Sequence, residues 1–225
     1  MAQRIGVVVF PGTNCEHDAV LALNHLGADA RLIFHTETSL SGLDAVVLPG
    51  GFAHGDYVRP GAIARFSPIM DSVARFAADG GPVVGICNGF QVLCEAHLLP
   101  GALQKNRGLT FLCKPTTLRV VSTRSALTNA AVVGQELSVP INHFSGSYTC
   151  DIETLRALND QDRVVLRYVD NPNGSIDDIA GITNEAGNVV GLMPHPERAF
   201  STLLGSADGV VLLESIICAA STASV

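Results

Sequence analysis

The stretch Val83-Val84-Gly85-Ile86-Cys87-Asn88-Gly89-Phe90-Gln91-Val92-Leu93 decides the fold. An apolar run ends at Ile86, one cysteine follows, and an amphipathic segment begins almost at once. A short run of that kind reads as a strand buried on both faces. Gly85 and Gly89 flank Cys87 two residues away on each side. The resulting Gly-x-Cys-x-Gly is the thiol counterpart of the Gly-x-Ser-x-Gly nucleophile elbow. A sharp strand-to-helix turn strains the central residue, and only small neighbours let the backbones pass closely. The turn lifts the sulfur above the sheet edge. It also sets the sulfur at a helix N-terminus, where partial positive charge favours thiolate over thiol. A cysteine that merely packs in a core has no need of the paired glycines.

Working towards the N-terminus, Ala45–Leu48 is a second apolar run and ends in Pro49-Gly50-Gly51. Ile5–Phe10 and Ala30–Phe34 are two more strand-like runs. A helix over Cys15–Leu26, capped by Thr13 or Asn14, separates them, and a second helix covers Pro68–Asp79. The order β-α-β-β-α-β-α predicts an α/β fold: a doubly wound, mostly parallel sheet with helices on both faces. Beyond Gly101 the pattern changes. Short runs at Phe111–Cys113, Leu118–Val121, Leu137–Ile141, Tyr148–Asp151 and Val164–Val169 follow one another, with one or two helical turns near Glu153–Leu158. Ile179–Thr183 and Val189–Met193 flank a turn-forming Asn184–Asn188, which predicts a hairpin. Additional antiparallel strands are expected in the second half, either extending the sheet or forming a flap. Gly209–Ala220 is a final amphipathic helix, and fraying is expected over 221–225.

The chain has 225 residues, 47% hydrophobic and 16% charged, with a formal charge of −7. One α/β domain over residues 1–225 is the expectation. Acidic balance without a basic cluster argues against a nucleic-acid partner. No apolar run approaches the ~18 residues of a membrane span. Cys15, Cys87, Cys94, Cys113, Cys150 and Cys218 form no C-x-x-C pair and match no zinc spacing, so no metal site is expected. The start of the chain lacks signal-peptide character, and a cytoplasmic protein with reduced thiols is expected. Cys94, Cys113, Cys150 and Cys218 read as packing residues, while Cys15 lies beside a strand-end loop.

A thiol nucleophile needs a base, and the base needs an orienting partner. Of seven histidines, His195 stands at a strand end between two prolines, with Glu197 two residues on. In an extended chain those two side chains share a side, so the carboxylate reaches one imidazole nitrogen and leaves the other for the thiol. An oxyanion hole needs backbone donors, and Asn88 and Gly51 offer them. Gln91, one helical turn past Cys87, either binds a polar substrate or ties a loop. His54, Asp56, Tyr57 and Arg59 lie on a Gly-rich loop that is either a pocket wall or a solvated surface. The residues alone leave open a thiol enzyme acting as a subunit, a stand-alone cysteine amidase or peptidase, and a non-catalytic regulatory subunit.

Taken together, Gly85–Gln91, Pro49–Phe52 and Pro194–Arg198 resemble the class I (triad-type) glutamine amidotransferases. Phe10–Cys15, Gly55–Tyr57, Pro60–Ala64, Leu99–Leu103 and Asn173–Ser175 are similar to the glutaminase subunits of phosphoribosylformylglycinamidine synthases. The resemblance implies that Cys87 attacks the side-chain amide of L-glutamine, that His195 shuttles protons and that Glu197 orients it. It implies a backbone oxyanion hole at Gly51 and Asn88, and substrate contacts at Gln91 and Phe52. It further implies no cofactor in this chain, with ATP and Mg on a partner. That partner would be a formylglycinamidine ribonucleotide synthetase subunit, with a small bridging subunit. One segment departs: Asn142-His143-Phe144-Ser145-Gly146 stands where the family commonly reads His-Gly-Glu-Gly.

Overall fold

A computed structural model describes residues 2–223; the frayed end expected over 221–225 therefore lies partly outside the described residues. In chain order the elements begin with β1 (Arg4–Val9), α1 (Glu16–His25), β2 (Asp29–Phe34), β3 (Ala45–Leu48), α2 (Pro68–Ala78), β4 (Val83–Ile86) and α3 (Asn88–Glu95). They continue with β5 (Ala102–Lys105), β6 (Leu112–Val120), β7 (Glu136–His143), β8 (Ser145–Thr149) and α4 (Ile152–Asp160). The last are β9 (Val164–Tyr168), β10 (Ile179–Thr183), β11 (Val189–Leu192) and α5 (Val210–Ala223).

Nine strands form one sheet in the order β2-β1-β3-β4-β11-β10-β9-β6-β7. From β2 to β11 every neighbour is parallel. From β11 to β7 every neighbour is antiparallel. The expected parallel core is therefore present, and the later strands extend the same sheet. The chain steps from β1 to β2 in one direction and from β3 to β4 in the other. Right-handed crossovers then put α1 and α2 on opposite faces. Helix α5 packs beside α1, and α3 crosses β3, β4 and β11. All residues of β3, β4 and β11 are buried, as continuous apolar strands covered on both faces must be.

Three local expectations need correction. Neither Thr13 nor Asn14 caps α1; Cys15 holds that position, and Thr13 Oγ1 instead accepts from the Phe10 N–H at 3.0 Å. The two runs at 111–113 and 118–121 belong to one continuous strand, β6, which runs through Pro115. Pro115 lies opposite Pro140 of β7. Two prolines tolerate that register because a non-hydrogen-bonded pair asks neither for an N–H. Finally, Cys113 and Cys218 are exposed and do not pack in the core.

Strands β5 and β8 form a separate antiparallel pair. Tyr148 on β8 stacks on Phe90 of α3, with ring centres 5.9 Å apart, and donates to the Pro100 carbonyl at 3.0 Å. This small ribbon thus holds the elbow helix from outside the main sheet.

Candidate active site

Four loops meet at the C-terminal ends of the parallel strands: those after β1, β3, β4 and β11. Ligand sites of open α/β sheets form there, where strand order reverses. Leu192 of β11 is in register with Ile86 of β4, so Cys87 and the Pro194-His195 turn leave the sheet side by side.

Cys87 adopts φ +52° and ψ −105° between β4 and α3, a conformation that β-carbon sterics disfavour. The glycines are explained by contacts. A β-carbon on Gly85 would lie 2.6 Å from the Gly89 backbone, and one on Gly89 would run into the Leu48 carbonyl of β3. The turn is held by the Cys87 N–H, which donates to Leu192 O at 2.8 Å. The thiol itself points to the Asn142 carbonyl at 3.8 Å.

His195 and Glu197 are both almost completely buried, and His195 Nδ1 lies 2.6 Å from Glu197 Oε1. An ionised carboxylate only accepts, so Nδ1 carries the proton. Nε2 is buried and makes no hydrogen bond among the described residues. Burial alone would lower the imidazole's proton affinity. The Glu197 carboxylate, aided by the Cys87 and Cys15 sulfurs, outweighs it and holds the His195 pKa well above its usual value. The main chain is not extended here, as sequence spacing suggested. Pro196–Arg198 is a single 3₁₀ turn, and that turn brings the carboxylate back to the ring. The His195 N–H is anchored on the Pro140 carbonyl at 2.8 Å. That carbonyl is available because the opposed prolines turn their polar groups away from each other.

Gly50 is the common neighbour. A β-carbon there would stand 2.7 Å from His195 Cε1, 3.1 Å from Cys15 Sγ and 3.4 Å from Cys87 Cβ. Gly51 takes φ +144°, and a side chain would collide with Asn14. The next N–H, of Phe52, is already given to Gly12 O at 2.9 Å. Among the described residues, neither the Gly51 N–H nor the Asn88 N–H meets an acceptor.

These groups open into a cleft of about 970 Å³ that also receives Phe52, Asp56, Gln91 and His143. Polar bonds tie its walls together. The Asn88 side chain accepts from Ala53 N at 2.9 Å and donates to Asp56 Oδ1 at 3.1 Å and Gln91 Oε1 at 2.8 Å. Gln91 Nε2 donates to Ser145 O at 2.6 Å. Both ends of the Gln91 amide are thus engaged by the chain itself. Burial, partly offset by the Asn88 bond, pushes the Asp56 carboxyl up to about 6. Of its loop companions, Tyr57 is exposed, Arg59 pairs with Glu95 at 2.6 Å, and His54 approaches Ser67 and His35.

Sequence reasoning gave no role to His143, Asn106, Asn142 or Arg198. Asn106 Nδ2 donates to two carbonyls at 2.9 Å, so its Oδ1 faces His143 Nδ1 at 3.0 Å and that nitrogen must carry the hydrogen. Burial first, and then nearby His195, push His143 down to about 4, so its ring is neutral at physiological pH. Arg198 pairs with Asp18 at 3.0 Å and reaches Cys15 Sγ at 3.3 Å. The only signal for these was position, beside strand ends already singled out. Donor atoms of Cys15, His195 and Glu197 lie within 4.8 Å of one another. The short His195–Glu197 bond commits two of the three to a shared proton, which suits acid–base work. Among the described residues no helix is long and apolar enough to cross a membrane.

The sequence matches the CobB/CobQ-like glutamine amidotransferase domain over residues 2–208. It is 55% identical to the phosphoribosylformylglycinamidine synthase subunit PurQ of Rubrobacter xylanophilus, covering 96% of this chain and 99% of that one. It is 56% identical to the PurQ subunit of Parasynechococcus marenigrum, covering 95% of this chain and 99% of the other. The solved structure of PurLQS from Thermotoga maritima superposes with a TM-score of 0.90 at 42% identity, over 97% of this chain and 99% of its counterpart. With the fold, the strand-end constellation and full-length similarity in agreement, this chain belongs to the glutamine amidotransferase family.

Proposed function

We propose that this chain is the glutaminase subunit of a phosphoribosylformylglycinamidine synthase. It hydrolyses L-glutamine and passes the ammonia to an ATP-dependent synthetase subunit. The observation that carries the reading is the buried set around Gly50: a strained thiol, and an imidazole whose far nitrogen is fixed by a carboxylate. The names of the close relatives supply the partner class.

Each group has one task in this mechanism. His195, charged beside Glu197, already holds on Nε2 the proton that Cys87 gives up, and the thiolate attacks the glutamine δ-carbon. The oxygen of the tetrahedral adduct is received by the Gly51 and Asn88 N–H groups. His195 returns the proton to the leaving nitrogen, ammonia departs, and a γ-glutamyl thioester remains on Cys87. Water, deprotonated by the same ring, attacks that thioester and releases glutamate. Glu197 keeps Nδ1 protonated throughout, so Nε2 always faces the reacting atoms. ATP and Mg belong to the synthetase subunit, and a small third subunit bridges the two.

Reconstitution with the synthetase subunit tests this. Cys87→Ala is expected to abolish glutamine-dependent synthesis while ammonia-dependent synthesis continues. Persistent glutamate release by Cys87→Ala would refute the assignment.

A further inference from the structure

We propose that Asp56 receives the α-ammonium group of glutamine and is the residue that makes the cleft specific for an α-amino acid. The inference rests on the glutaminase reading above and adds the group that recognises the far end of the substrate.

Asp56 is the sole acidic residue among those that line the cleft, against four cations: Arg59, Lys105, Arg107 and Arg198. Arg59 and Arg198 are committed to Glu95 and Asp18. Lys105 and Arg107 make no ion pair among the described residues and can meet the α-carboxylate. A zwitterion needs both signs within one cleft, and Asp56 supplies the negative one.

Geometry points the same way. Asp56 Oδ1 is held by Asn88, the residue immediately after Cys87, while Oδ2 has no hydrogen bond among the described residues. The α-carbon of glutamine lies three carbon–carbon bonds from the atom that the thiol attacks. A carboxylate tied to the neighbour of the nucleophile is therefore within the substrate's length. The loop is also built to hold that side chain: His54, Gly55, Asp56 and Val58 all take positive φ, and Ala53 is pinned to Asn88 Oδ1. Such strain persists only where the surroundings over-determine it. Finally, the half-buried carboxyl lacks a counter-charge, which is why burial raises its proton affinity. An ammonium group is the partner that would reverse that.

The test uses the reconstituted complex and two substrates, glutamine and 4-carbamoylbutanoate, which is glutamine without its α-amino group. Asp56→Asn keeps an acceptor for Asn88 and tolerates positive φ, so the loop is preserved. Its kcat/KM for glutamine should fall by about 30–300-fold, mostly in KM, as expected when a charged hydrogen bond to substrate is lost. Turnover of 4-carbamoylbutanoate should stay within about threefold of wild type, so the preference for glutamine collapses. A parallel measurement of glutamine binding to Cys87→Ala, with and without Asp56→Asn, should show the same loss without any chemistry. An unchanged preference ratio, or an equal loss for both substrates, would overturn the proposal. Absence of glutamate release by the wild-type complex would instead overturn the glutaminase reading on which it rests.

Discussion

Gly50→Ala is the sharpest probe of the constellation, because it adds one methyl group where three functional residues meet. Gly50 needs no positive φ, so the new side chain costs space and not backbone strain. Its β-carbon would lie 2.7 Å from His195 Cε1, about 1 Å inside the ordinary 3.5–4.0 Å carbon contact. The ring cannot yield freely, since Glu197 holds Nδ1 at 2.6 Å and the His195 main-chain N–H is tied to Pro140 O at 2.8 Å. Misplacing a reacting group by 1 Å costs on the order of 100-fold in rate. Overpacking costs about 1–3 kcal/mol of stability, which a protein of this size can absorb. The expected result is therefore a folded subunit with kcat for glutamine hydrolysis reduced about 100-fold and KM nearly unchanged. Ammonia-dependent synthesis by the complex should be unaffected. Gly108→Ala is the control: its β-carbon meets only Thr110 Oγ1 at 3.4 Å and its φ is unexceptional. Gly50→Ala within threefold of wild-type kcat, with normal folding, would refute the packing argument.

Two further outcomes follow from the charges. The His195 pKa is raised in the folded state, so the stability it contributes is full below its unfolded pKa of about 6.5 and is lost as pH rises through the higher folded value. Glu197→Gln removes the main cause; its stability deficit relative to wild type, read by urea unfolding, should shrink as the pH is raised well above 6.5. A deficit independent of pH would contradict the ion-pair description. Asp56 is also raised, to about 6, so its favourable contribution is present below about 4 and lost by pH 7. After allowance for solvent on a half-buried group, Asp56→Asn should gain about 1–2 kcal/mol at pH 7 in the absence of substrate. That corresponds to roughly 2–8 °C in Tm, and no gain should remain at pH 4.

The parallel half of the fold was legible because its signals are local. Continuous apolar runs such as Ala45–Leu48 mark doubly covered strands, and the Gly-Gly turn marks where one stops. The elbow was legible because Gly85 and Gly89 are demanded by contacts within a few residues of Cys87 or with the adjacent strand. The antiparallel half was less so. Pro115 reads as a strand breaker, and only its pairing with Pro140 shows why β6 runs through it. Strand β5 has exposed polar residues and gained its place by pairing with β8, which no short-range pattern announces. At the site, residue types singled out Cys87, His195 and Glu197, but not the geometry that brings them together. The 3₁₀ turn at 196–198 replaced the expected extended chain, and the neutral tautomer of His143 depends on Asn106, 37 residues away.

The thiol and its imidazole follow the ends of adjacent strands that are separated by nearly half the chain. Strand β4 is synthesised early, but β11 slots in beside it only after the hairpin with β10 has emerged from the ribosome. Until that insertion, Cys87 has no base, and the Cys87 N–H lacks the Leu192 carbonyl that braces its turn. Nascent and C-terminally truncated chains should therefore leave cellular glutamine untouched, so the arrangement of the sheet guards against waste before any partner arrives.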